Sequence, residues 1–72
     1  MNELVFTVER DIDGGFVAKA RLATGSINTQ GDTLDELKEM VKDAIDGYFF
    51  DKPEQRPTTV RFHFEEVFAL AG

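Results

Sequence analysis

The chain has no cysteine and no tryptophan, and it carries one histidine and one serine in 72 residues. Without cysteine there is no disulfide framework and no thiolate metal site. His63 has no second imidazole or thiolate to complete a metal set, and no nucleophile at a recognisable spacing. Ser26 lies outside any Gly-Xaa-Ser-Xaa-Gly elbow. Gly14, Gly15, Gly25 and Gly31 stand among turn residues, and none belongs to a phosphate loop. No apolar run approaches a membrane span, and the N-terminus has no signal-peptide pattern, so a cytoplasmic location is expected. Positive charge is also scarce. Eight Lys and Arg stand against 14 Asp and Glu, for a net charge of −6. That balance opposes direct nucleic-acid binding and favours docking on a basic protein.

A single domain of this length buries only roughly 60% of its unfolded surface and is marginal on its own. With disulfides excluded, self-association or a bound partner is the remaining source of stability.

The stretch from Thr33 to Phe50, TLDELKEMVKDAIDGYFF, is the only segment long enough for a full amphipathic helix. Leu34, Leu37, Val41, Ala44, Ile45 and Tyr48 recur at steps of three and four, with Phe49 at the edge of their stripe. Asp35, Glu36, Glu39, Asp43 and Asp46 fall opposite, and Lys38 and Lys42 occupy one flank. Thr33 and Glu36 form a capping box, and the first-turn acids suit the helix dipole. Gly47 weakens the last turn, and Pro53 and Pro57 bar continuation.

Strands are read around this helix from alternation. Residues 3–10 turn Leu4, Phe6 and Val8 to one side. Residues 16–22 turn Phe16, Ala18, Ala20 and Leu22 to the core, and the intervening Asp13-Gly14 marks a hairpin. Ser26 to Gln30 reads as a short, polar edge strand after a Thr24-Gly25 turn. A proline-bearing loop, 51–58, leads to Thr59–Phe64, whose Val60, Phe62 and Phe64 share one face. The order β-β-β-α-β predicts an α+β fold. Three strands form an antiparallel meander, one helix covers one face of the sheet, and a right-handed crossover lays the fourth strand parallel to the first.

The remaining chemistry is sparse. Asp11-Ile12-Asp13-Gly14 shares its opening with a calcium loop but lacks the later oxygen ligands, so it reads as a plain turn. Glu65 and Glu66 are adjacent on an extended chain and point apart. No catalytic, cofactor or metal residues are assigned. Phe49, Phe50, Val67, Phe68 and Leu70 exceed what one helix on one sheet face can bury. They point to a homodimer or higher oligomer, or to a bound partner.

Residues 28–49, NTQGDTLDELKEMVKDAIDGYF, resemble the HicB-like antitoxin family. So do the preceding turn DGGFVAKA (13–20) and the ending RPTTVRFHFEEVFA (56–69), which is similar to short, stand-alone members. DTLDEL alone is only a good helix start; the three pieces in this order carry the resemblance. It implies a partial ribonuclease-H-like fold across a single domain, residues 1–72; many members of that family carry a C-terminal DNA-binding domain, and none is expected in this chain. It also implies a non-enzymatic inhibitor that masks a small basic HicA-type ribonuclease toxin. The carboxylates of the fold's enzymatic relatives are replaced on the core-facing positions by Leu4, Phe6, Val8, Phe16, Ala18 and Ala20. On that reading Asp35, Glu39, Asp43 and Asp46 supply long-range attraction, and Phe49, Phe50 and Phe68 are apolar anchors. The alternative is a stand-alone self-assembling structural or regulatory domain with no toxin partner.

Overall fold

A computed structural model describes residues 2–71. The chain forms β1 (Glu3–Arg10), β2 (Phe16–Leu22), β3 (Gly25–Gly31), α1 (Leu34–Tyr48), a 3-10 turn (Pro53–Gln55) and β4 (Thr59–Phe64). The sheet order is β3-β2-β1-β4. β1, β2 and β3 pair antiparallel, while β4 runs parallel to β1 with Leu4 beside Val60, Phe6 beside Phe62 and Val8 beside Phe64. This is the expected β-β-β-α-β architecture, with β3 and β4 as its edges.

The turns follow from local chemistry. In the first hairpin, Gly14 N–H donates to the Asp11 carbonyl at 3.1 Å, and Asp11 N–H donates to the Gly15 carbonyl at 3.1 Å. Gly14 and Gly15 have φ of +94° and +78°, a region closed to most side chains. In the second hairpin the turn is Ala23-Thr24, and Gly25 lies inside β3 opposite Leu22. β3 is thus one residue longer at each end than its polar sequence suggests. The helix starts as expected: the Thr33 hydroxyl accepts from Glu36 N–H at 3.1 Å. At its far end the Tyr48 and Thr24 hydroxyls share a 2.7 Å hydrogen bond that ties the helix to the second hairpin.

Leu4, Phe6, Val8, Ala18, Ala20, Ile27, Leu37, Val41, Ile45 and Phe49 form the core. The helix comes closest to β3, then β2, and stands off β1 and β4. Residue size explains this offset. Ala18 and Ala20 are small and fully covered on β2. Gly31, expected as a turn residue, is instead the buried last residue of β3. A Cβ there would lie 2.6 Å from the Leu37 backbone nitrogen and 2.9 Å from its Cα. Phe6 and Phe62, stacked edge to face at 6.3 Å, fill the other side and hold the helix away.

Three expectations change as a result. The helix does not cover the whole sheet face: on β4, Val60 is 41% and Phe64 55% exposed, and only Phe62 is half-buried. Leu34, counted in the apolar stripe, is 38% exposed at the helix start. Phe16 and Leu22 pack beside the core rather than within it.

Two glycines separate close approach from backbone cost. Gly31→Ala forces β3 from the helix backbone and should lower unfolding free energy by about 1–3 kcal/mol. Gly47 lies within the helix with nothing within 4 Å of a built Cβ. Gly47→Ala should stabilise by about 0.5–1 kcal/mol. Urea denaturation with an unchanged m value checks both; a neutral Gly31→Ala would show that the helix contact is not tight.

Candidate interaction surface

The helix presents two differently charged sides. Asp35, Glu39 and Asp43 are exposed along its outer ridge and have no ion-pair or hydrogen-bond partner among the described side chains. Lys38 and Lys42 follow on the flank that faces β4. The expected ridge is therefore displayed, with one exception. Asp46 accepts from Arg56 Nε at 2.8 Å and from Lys42 Nζ at 3.3 Å. The Arg56 guanidinium, with Lys42 beside it, holds the Asp46 carboxyl below its ordinary value of 3.8. Asp46 is thus a junction that pins the loop before β4 to the helix, and its charge is spent internally.

The apolar anchors divide as well. Phe49 is 6% exposed, packed edge to face on Tyr48 at 5.0 Å, and belongs to the core. Its place at the edge of the helical stripe, one residue past the last helical turn, folds it inward. Phe50 is 84% and Phe68 is 77% exposed. They do not come together. Phe50 follows the helix end, whereas the tail leaves β4 beside Leu34 at the helix start, some 15 helical residues away, or about 22 Å.

Between the Lys38–Lys42 flank and β4 runs an open groove of about 410 Å³. Val41, Ile45, Val60 and Phe62 form its floor, and Lys38, Lys42 and Arg56 its rim. Sequence reading placed the two lysines on a flank but missed Arg56, which reaches the rim only because the 3-10 turn at Pro53–Gln55 brings it back to Asp46. β4 is fixed at its start by Thr58 and Thr59, whose N–H groups both donate to the Asn2 carbonyl at 3.0 and 2.9 Å.

The open face of the sheet carries Lys19, Arg21, Arg61 and His63. Arg61 pairs with Glu3 at 3.1 Å. Ser26 and His63 lie on opposite edge strands, three strand spacings or roughly 14 Å apart. Among the described residues no group of three His, Cys, Asp or Glu side chains is placed to hold a metal ion. Nor, among the described residues, is any helix long and apolar enough to cross a membrane.

The chain is 47% identical over 69 residues to a UPF0150 protein of Thermotoga maritima, covering 96% of this chain and 91% of that protein. It is 48% identical over 46 residues to a UPF0150 protein of Archaeoglobus fulgidus, covering 64% of this chain and 65% of that protein. No protein-family model matches, and no solved structure matches.

The Asp46 junction has a pH signature. A carboxylate whose pKa is depressed on folding adds stability that is complete above its unfolded value and lost as pH falls through the lower folded value. Asp46→Asn should therefore cost most near neutrality, and the difference from the parent should vanish in strong acid. Urea midpoints measured from pH 7 downward check this; a difference constant with pH would assign the loss to geometry rather than charge.

Proposed function

This chain belongs to the UPF0150 family, and from that premise we propose that it is a HicB-like, non-enzymatic binding protein that masks a small basic ribonuclease of the HicA type. The observation that carries the reading is the outer ridge of the helix, where Asp35, Glu39 and Asp43 stand exposed with no ion-pair partner among the described residues. Three like charges on one rigid helix face raise the encounter rate with a cationic partner, and a net charge of −6 extends that field. Phe50, exposed beyond the helix end, supplies apolar contact next to this ridge. Asp46 holds the adjoining loop rather than the partner. The resemblance of residues 13–20, 28–49 and 56–69 to HicB-like antitoxins supports the same role, and the apolar core-facing strand positions agree with masking rather than catalysis.

The second reading, a self-assembling domain with no toxin partner, draws support from the exposed tail and the bare β4 edge.

Affinity purification from the native host decides between them. The first reading expects a small basic protein that cleaves RNA and is inhibited by this chain in fixed stoichiometry. Asp35→Lys, Glu39→Lys and Asp43→Lys combined should then slow association by about 10–100-fold at low salt and flatten its salt dependence. An association rate unchanged by the triple variant would remove the helix ridge from the interface.

A further inference from the structure

We propose that two copies of this chain exchange their C-terminal tails, each tail adding a strand to the partner copy's β4 and closing the partner copy's basic-rimmed groove. The inference stands apart from the toxin-masking reading and applies with or without a toxin.

The tail is the first observation. Beyond β4, residues 65–71 form no regular element, and Val67, Phe68 and Leu70 are 96%, 77% and 88% exposed. The molecule measures 52 × 22 × 18 Å. An eight-residue strand spans about 27 Å, so the long axis is set by the tail running outward. The tail continues β4 at its root, where Glu65 N–H donates to the Val8 carbonyl at 2.9 Å. Carried onward as a strand, it puts Glu66, Phe68 and Leu70 on the helix side with Val60, Phe62 and Phe64, and Val67 and Ala69 on the open side.

The receiving surface is the second. β3 is a polar edge, but β4 has no proline, lysine or bulge to block pairing, and as an edge strand it has no neighbour on its outer side among the described residues. Beside it the groove has an apolar floor and a rim of Lys38, Lys42 and Arg56; Lys42 and Arg56 share the single carboxylate of Asp46, so the rim keeps a net positive charge. The sequence EEVFAL is acidic and then apolar, which complements that order of charge and grease.

The tail does not reach its own groove by a tight hairpin. Such a turn at Glu65-Glu66 calls for positive φ, which suits Gly or Asn and not Glu, and no described non-glycine residue has it. A second copy related by a two-fold axis solves the geometry, because an isologous contact between two antiparallel β4-plus-tail strands satisfies both tails at once. Registers that keep the apolar rows on the helix side pair even residues with even. The register centred on Glu65 sets the two Glu65 side chains against each other. The register centred on Phe64 instead pairs Phe64 with Phe64, His63 with Glu65, Arg61 with Val67 and Val60 with Phe68. It juxtaposes no like charges and seats Phe68 at the groove, with Glu66 beside Phe62 and toward the lysine flank.

The test uses the full chain. Sedimentation equilibrium should give twice the 8.1 kDa of one chain, and Phe68→Glu, which touches no core residue, should return it to monomer. The absence of native cysteine allows a register test. Val60→Cys with Phe68→Cys should give a covalent dimer on mild oxidation, in preference to Val60→Cys with Leu70→Cys. A monomer throughout, a dimer indifferent to Phe68→Glu, or a disulfide closed within one chain would each overturn the proposal.

Discussion

The contact between Gly31 and Leu37 sets the arrangement of the whole molecule. The last residue of β3 has no side chain, so the first turns of the helix press onto backbone. Ala18 and Ala20 extend this shallow bed onto β2, while Phe6 and Phe62 raise the opposite side. A helix seated low on one edge must stand high over the other. The groove along β4 is the geometrical consequence, and so is the exposure of Val60 and Phe64. An offset of this kind leaves apolar surface that no other described element covers.

Charge is sorted around the same helix axis. The ridge farthest from the sheet is acidic, and the flank over the groove is basic. Asp46 joins the two by drawing Arg56 and Lys42 together, which fixes the loop entering β4 and concentrates cations at the groove mouth. The net charge of −6 conceals this local inversion. A partner attracted over distance by the ridge and a segment received by the groove would meet opposite fields on a single domain.

The ribbon order and nearly all strand limits were legible in the sequence, because alternation and a capping box are local signals that the core then reinforces. β1 (Glu3–Arg10), β2 (Phe16–Leu22) and β4 (Thr59–Phe64) span the segments in which core-facing and outward residues alternate. The acidic ridge was legible for the same reason: position on a helix fixes which side chains share a side. The candidate site was legible only in part. Asp46 reads as one more ridge acid until the loop returns Arg56 to it. Phe49 reads as a surplus aromatic until the helix ends one residue earlier and turns it under. Phe50 and Phe68 read as anchors of one partner surface, although the crossover sends them to opposite ends of the helix.

The sequence by itself determined the elements, their order, the two faces of the helix and the parallel return of the last strand. Each depends on periodicity within a segment or on the handedness of a single connection. Only the tertiary structure decided how deeply the helix sits, which acids keep their charge free, and which apolar residues stay outside. Those depend on distances between segments far apart in the chain, down to the 2.6 Å that a single Cβ at Gly31 would leave.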